Sequence, residues 1–77
     1  AELTRLASGS DLALQADGAE VHALVLSGAC RDGIGTDPAQ HPVARAGDFL
    51  LHDGASARRW TAEGRAELLL ALVRFPA

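Results

Sequence analysis

Residues 47–54 read Gly-Asp-Phe-Leu-Leu-His-Asp-Gly, a short apolar run with a glycine at each end. A similar pattern recurs along the chain, where eight glycines, several of them after an acidic residue, separate short apolar runs. Turn signals spaced about 7 to 12 residues apart are typical of many short antiparallel strands. The sequence therefore predicts an all-β fold, a small antiparallel sandwich or barrel with little or no helix.

Two apolar runs give this fold its expected centre. Residues 21–27 are apolar on both faces of a strand with a period of two, which predicts a central strand. Residues 67–75 are rich in helix-forming Ala, Leu, Glu and Arg. That run is nevertheless apolar on all sides and stops before Pro76, so we expect a buried strand there as well. The polar stretch at 36–41, with Pro38 within it and Pro42 after it, predicts an irregular connection or an edge.

The length of 77 residues allows one small domain, spanning 1–77. The hydrophobic fraction is 48%, but sixteen of those residues are Ala, so large core side chains are few. A chain this short buries only about 60% of its unfolded surface, so it is expected to need a partner subunit. We predict a symmetric homodimer whose interface uses sheet faces or swapped N-terminal strands, around Leu3, Leu6, Leu12 and Leu14.

Charge and cysteine content narrow the function classes. The net charge is −3, and the seven cations are all Arg without a basic cluster, which argues against nucleic-acid binding. The longest apolar stretch, 68–73, is far shorter than the roughly 20 residues of a membrane span. A single Cys30 cannot form an intrachain disulfide, so it is interpreted as a small buried hydrophobe, with a reactive thiol as the alternative. Together with the absence of a signal-peptide pattern, this predicts a cytoplasmic protein.

Five polar or aromatic residues are candidates to line a pocket. His22 lies in the middle of the most apolar strand, as either a hydrogen-bonded core residue or a metal ligand. We expect it to point inward, with Gln15 or Asp17 of the preceding strand within hydrogen-bond reach. His52 ends the strand at 49–52, and Trp60 either stacks on a ligand at the barrel mouth or packs in the core or a subunit contact. The candidates are therefore Gln15, Asp17, His22, His52 and Trp60.

Two segments resemble the conserved motifs of the cupins. Residues 21–28, Val-His-Ala-Leu-Val-Leu-Ser-Gly, resemble the first motif, in which a Glu begins a run ending in Val-Leu-Glu-Gly. Residues 47–54 resemble the second motif, in which Gly-Asp and an apolar strand precede a Pro-Gly turn and a His. The strand rhythm from about 3 to 75 is most similar to the small cupins of the ChrR type, found in zinc-containing anti-sigma factors. The resemblance implies a minimal cupin-like double-stranded β-helix.

The metal ligands of that family are not retained at the matching positions. Its His-x-His pair falls on Gln15 and Asp17, its Glu on His22, and its second-motif His on Ala57. No position keeps its usual ligand, so we predict no metal cofactor; a divalent ion held loosely by Gln15, Asp17 and His22 is the weaker alternative.

A cupin-like domain without its metal ligands predicts a non-catalytic module. We expect it to bind a small-molecule ligand, to sense or to regulate. One alternative is a metal-dependent enzyme of dioxygenase or isomerase type that uses the Gln15, Asp17 and His22 site. The other is a structural domain of a larger protein. A fold alone does not decide among these functions.

Overall fold

The computed structural model describes residues 1–33 and 41–77, which contain eight strands and no helix. This confirms the predicted all-β class, and the final run is a strand as expected. The connection predicted at 36–41 lies, apart from His41, outside the described residues. In chain order the strands are β1 Glu2–Leu6, β2 Asp11–Leu14, β3 Glu20–Ser27, β4 Ala29–Gly33, β5 Val43–Arg45, β6 Phe49–His52, β7 Arg58–Glu63 and β8 Leu68–Phe75.

The strands form two four-stranded antiparallel sheets. One has the order β1-β8-β3-β6 and is called here the β1 sheet; the other has the order β2-β7-β4-β5 and is called the β2 sheet. The pairing is nested, because the first strand pairs with the last, the second with the seventh, the third with the sixth and the fourth with the fifth. Pairs β3–β8 and β4–β7 then complete the two sheets.

The core lies between the two sheets and follows the period-two alternation of their strands. Leu68, Leu70 and Leu72 of β8 are fully buried, and Trp60 of β7 faces them from the opposite sheet as the largest buried side chain. Burying a large aliphatic side chain contributes about 1.5–3 kcal/mol, so this one strand supplies much of the stability of a thin core.

The leucines predicted to form a subunit interface lie mostly inside the domain. Leu14 is a core residue, and Leu6 and Leu12 are partly buried against the core. Only Leu3 is well exposed, at 58%. The prediction of an interface around all four leucines is therefore wrong for Leu14 and unsupported for Leu6 and Leu12, because the two sheets of one chain already cover them.

Candidate functional site

The five pocket candidates do not come together in one site. His22 alternates with the buried Val21 and Ala23, so it lies on the outer face of the β1 sheet. There its Nε2 is 3.0 Å from Glu20 Oε1, and its ring packs at 4.8 Å on Phe75. The expectation that His22 points inward is wrong, because strand parity gives the interior to its neighbours.

Gln15 and Asp17 are exposed in the connection between β2 and β3. Asp17 Oδ1 accepts a hydrogen bond from the Ala19 amide at 3.0 Å, which closes a local turn and not a contact with His22. These two side chains and His22 do not share a face of the fold. The structure therefore gives no support to the atypical metal site that the enzymatic alternative requires.

His52 and Trp60 do lie inside the domain. His52 is 1% exposed, and its Nε2 is 2.9 Å from the carbonyl oxygen of Gln15. Since a carbonyl only accepts, Nε2 carries a proton, and Nδ1 is the second ring nitrogen. That Nδ1 is buried and finds no partner among the described residues. His52 therefore joins the β1 sheet to the end of β2 through one of its two nitrogens.

A polar cluster of the buried Trp60 and the partly exposed Asp32 and Arg58 lies across β4 and β7. The Trp60 indole N–H donates to Asp32 Oδ1 at 2.9 Å, and Arg58 Nη1 lies 3.5 Å from Asp32 Oδ2. Arg58 also donates to the Leu51 carbonyl oxygen at 2.8 Å and so ties the two sheets together. Strand pairing places Asp32 beside Trp60, with both side chains on the inner face. This cluster is structural, because its hydrogen bonds are made within the domain.

Cys30 is fully buried on the inner face of β4, as expected for a small hydrophobe. Burial, and secondarily the negative charge of Asp32, raise its pKa to about 12. A thiol nucleophile has to be accessible and needs a lowered pKa. The alternative interpretation of Cys30 as a reactive thiol is therefore unsupported.

The outer face of the β2 sheet carries a depression of about 820 Å³. Its charged lining comes from alternate residues of neighbouring strands, since Arg59, Thr61 and Glu63 of β7 point outward while Trp60 and Ala62 point inward. The lining holds three guanidinium groups and two carboxylates, and Asp32 pairs with the third guanidinium, that of Arg58, at 3.5 Å, so each Arg has a carboxylate partner. The lining groups are Asp11, Arg31, Arg58, Arg59 and Glu63, with His41 and Thr61 beside them.

The ion pairs of this depression are unequal. Arg31 Nε donates to Glu63 Oε2 at 2.9 Å, and this hydrogen bond lowers the pKa of Glu63 and raises that of Arg31. Arg59 Nε lies 3.5 Å from Asp11 Oδ2, and its side chain is 66% exposed. Asp11 also accepts from Thr61 Oγ1 at 2.8 Å. Arg31 is therefore held in place by Glu63, while Arg59 has a longer contact and greater access to solvent.

One side of the depression depends on a glycine. The His41 ring lies directly over Gly33, where an added Cβ would collide with the ring. Arg31 Nη1 donates to the His41 carbonyl oxygen at 3.3 Å, which fixes the backbone of the same residue. Of the five residues predicted to line a pocket, only Gln15 lines this depression, so sequence reasoning missed the rest of the site. The available signal was the charged alternation of residues 58–63, but strand pairing was needed to add β2 and β4 to it.

Known proteins offer no further guide to this site. No protein-family model, no curated protein and no solved structure matches the chain. Within the described residues, no group of three His, Cys, Asp or Glu side chains is placed to hold a metal ion. The same part of the chain contains no helix that could cross a membrane.

Proposed function

We propose that this chain is a non-catalytic binding module with a cupin-like double-stranded β-helix fold, and that its ligand site is the depression on the β2 sheet. Two features of the eight-stranded structure support the fold assignment. The nested pairing of first with last strand is that of double-sheet jelly rolls, a group that includes the cupins. The positions of the cupin-like motifs, at 21–28 and 47–54, coincide with β3 and with the segment around β6.

The ligand site is placed outside the sandwich because the inside is occupied. Trp60, Leu68, Leu70 and Leu72 fill the space between the sheets with fully buried side chains. Protein interiors packed in this way have few voids larger than a water molecule. A ligand that reaches this domain therefore meets the outer faces, and the β2 sheet offers the concave one.

The observation that carries the proposal is the Arg59 guanidinium in the depression, whose side chain is 66% exposed. Guanidinium forks recognise carboxylates through paired hydrogen bonds. Asp11 holds Arg59 by a contact of 3.5 Å and is itself shared with Thr61, so a ligand carboxylate can replace it at Arg59. The ligand class is therefore a small molecule with one or more carboxylates, positioned between Arg59 and the Arg31–Glu63 pair.

The test is a titration of isotope-labelled protein with small di- and tricarboxylates at low ionic strength, followed by amide and guanidinium NMR shifts. We expect saturable shifts around Arg59, Thr61 and Arg31, and a loss of affinity of at least about tenfold in Arg59→Gln, since a charge-assisted hydrogen bond is worth about 1.5–3 kcal/mol. Non-saturable shifts, reproduced by chloride at equal ionic strength, would refute the site.

Arg5→Gln is the matched control. Arg5 is also 66% exposed, and its pair with Glu67 is similarly long at 3.7 Å, but it lies on the β1 sheet. Removing it lowers the net charge of the chain by the same amount. We expect the carboxylate affinity of Arg5→Gln to equal that of the unsubstituted chain; equal losses in both variants would indicate a general charge effect and contradict the proposal.

A further inference from the structure

The outer face of the β1 sheet is apolar. All the exposed large hydrophobic residues in the described part of the chain lie on the four strands of this sheet, and on its outer side where alternation places them. Phe49 is the most exposed of them at 74%. The six residues are Leu3, Leu26, Phe49, Leu51, Val73 and Phe75, called here the apolar face. The β2 sheet shows the opposite character, because its outer face carries the paired charges of the depression.

Strand register makes these residues one continuous surface. Leu3 pairs with Ala71, Ala71 with Leu24, and Leu24 with Phe49, so a single row of apolar side chains crosses all four strands. A second row joins Val73, His22 and Leu51 across β8, β3 and β6. Contiguous exposed patches of this kind mark interaction surfaces, whereas single exposed hydrophobic residues do not.

We propose that the apolar face is covered by a second copy of this chain, in a two-fold symmetric dimer with the two β1 sheets packed face to face. This inference does not depend on the carboxylate site, which lies on the other sheet. It differs from the interface predicted from the sequence, since of the four leucines named there only Leu3 belongs to the apolar face.

The size of the face suits a dimer of this chain. The four strands hold 25 residues, and each residue covers about 4.8 by 3.3 Å, so the face measures roughly 400 Å² in projection. The accessible area of a contoured surface exceeds its projection, so two copies bury on the order of 1,000 Å² or more, which reaches the lower range of specific interfaces. Paired sheets about 10 Å apart are also the packing that the domain uses internally.

The face is complementary to itself. Its long row reads Leu3, Ala71, Leu24, Phe49 across the sheet. A two-fold axis parallel to the strands reverses the strand order of the second copy, so Ala71 of one copy faces Leu24 of the other and Leu3 faces Phe49. The contact between the small Ala71 and the larger Leu24 therefore occurs twice, as a two-fold symmetric interface requires.

Charge favours a second copy over other occupants. At the border of the face Arg5 is paired with Glu67 at 3.7 Å, and within the face His22 Nε2 lies 3.0 Å from Glu20 Oε1. Among the described residues around the face, no uncompensated cluster of one sign is left to select an oppositely charged protein. An anionic lipid surface is disfavoured as well, because the chain has a net charge of −3.

The test is sedimentation equilibrium of the unsubstituted chain and of Phe49→Glu, with folding verified by circular dichroism. We expect the unsubstituted chain to sediment at about 16 kDa, twice its 8.0 kDa, and Phe49→Glu to dissociate at least about tenfold more readily. Ala13→Glu is the control, since it adds the same charge at an exposed strand position of the β2 sheet and leaves the dimer intact.

A second measurement needs no substitution. If folding and association are linked, the melting temperature of the unsubstituted chain rises with protein concentration. This measurement tests the proposal even if Phe49→Glu fails to fold. A species of 8.0 kDa at millimolar concentration with a constant melting temperature would overturn the dimer, as would a Phe49→Glu dimer of unchanged affinity. Binding of the monomer to lipid vesicles, blocked by Phe49→Glu, would assign the face to a membrane instead.

Discussion

Trp60 joins the core to the partly exposed carboxylate of Asp32, and it is the largest fully buried side chain of the domain. Its indole N–H donates to Asp32 Oδ1 at 2.9 Å, and its ring is fully buried. We expect Trp60→Phe to destabilise the domain by about 2–4 kcal/mol, because a hydrogen bond to a charged group is worth about 1.5–3 kcal/mol and the smaller ring leaves unfilled space. Urea unfolding followed by far-UV circular dichroism measures the loss.

A double-mutant cycle with Asp32→Asn separates the hydrogen bond from the lost volume. If the indole and the carboxylate interact as the geometry indicates, the two substitutions are coupled by about 1 kcal/mol or more. Strictly additive effects would mean that Trp60 acts only by filling space. Either result is consistent with Trp60 as a core residue, but additive effects would mean that its hydrogen bond to Asp32 does not contribute to stability.

At the residue scale, the sequence predicted which side chains are buried better than it predicted which polar groups pair with each other. Cys30 is buried, in agreement with its interpretation as a small hydrophobe, and Trp60 packs in the core, which was an alternative to its role as a pocket candidate. Asp32 precedes Gly33, a pattern typical of turns, yet it belongs to β4 and points inward. Its partners, Trp60 and Arg58, lie 28 and 26 residues away along the chain, and no local pattern identifies contacts at that separation.

At the scale of elements, two glycines in the turns provide a matched comparison. Gly54 and Gly47 both have a positive φ, of 79° and 95°. A Cβ on Gly54 would lie 2.6 Å from the Ala19 carbonyl oxygen, whereas a Cβ on Gly47 meets nothing within 4 Å. We expect Gly47→Ala to cost about 1–2 kcal/mol from backbone conformation alone. Gly54→Ala should cost at least about 1 kcal/mol more, because it also pushes backbone apart.

The larger cost at Gly54 has a specific place in the fold. The Gly18 amide donates to the Gly54 carbonyl oxygen at 3.1 Å, so the β2–β3 and β6–β7 turns are in direct contact there. Thermal or urea unfolding of the two variants measures the difference. Equal destabilisation would show that the turns separate without penalty and that the close approach at Gly54 contributes nothing to stability.

The inner face of a strand is the feature of these elements that the sequence did not predict. The period of two correctly predicted that residues 21–27 and 67–75 form strands, because both runs are apolar and bounded by turn residues. It did not determine which side of β3 is the inner one, because both sides are apolar, and a strand reversed in this way exchanges every side chain. His22 was therefore assigned to the interior while Val21, Ala23 and Val25 occupy it. A strand apolar on both faces is instead evidence for two covered faces.

At the scale of the whole molecule, the nested pairing joins the two halves of the chain everywhere. In both sheets the strands alternate between the first half, β1 to β4, and the second half, β5 to β8. Each pairing in the described structure therefore connects residues 1–33 with residues 41–77. The sequence predicted many short antiparallel strands in a small sandwich or barrel, but the partners of each strand are set by tertiary packing and not by local pattern.

This alternation predicts how the chain behaves when it is divided. Separate peptides covering 1–33 and 41–77 have no paired neighbours of their own, so each should lack β structure by circular dichroism. Mixed in equal amounts, they should associate in a reaction of second order, with Trp60 emission shifting to shorter wavelength as the indole is buried. A first peptide carrying Val25→Asp is the control, since this charge falls in the core and should prevent association. If either peptide alone gave a folded β-sheet monomer, then pairing within one half would be sufficient and the nested topology would not govern folding. Slow folding of the intact chain, on a scale of milliseconds to seconds, is the corresponding expectation for a fold built from non-local pairs.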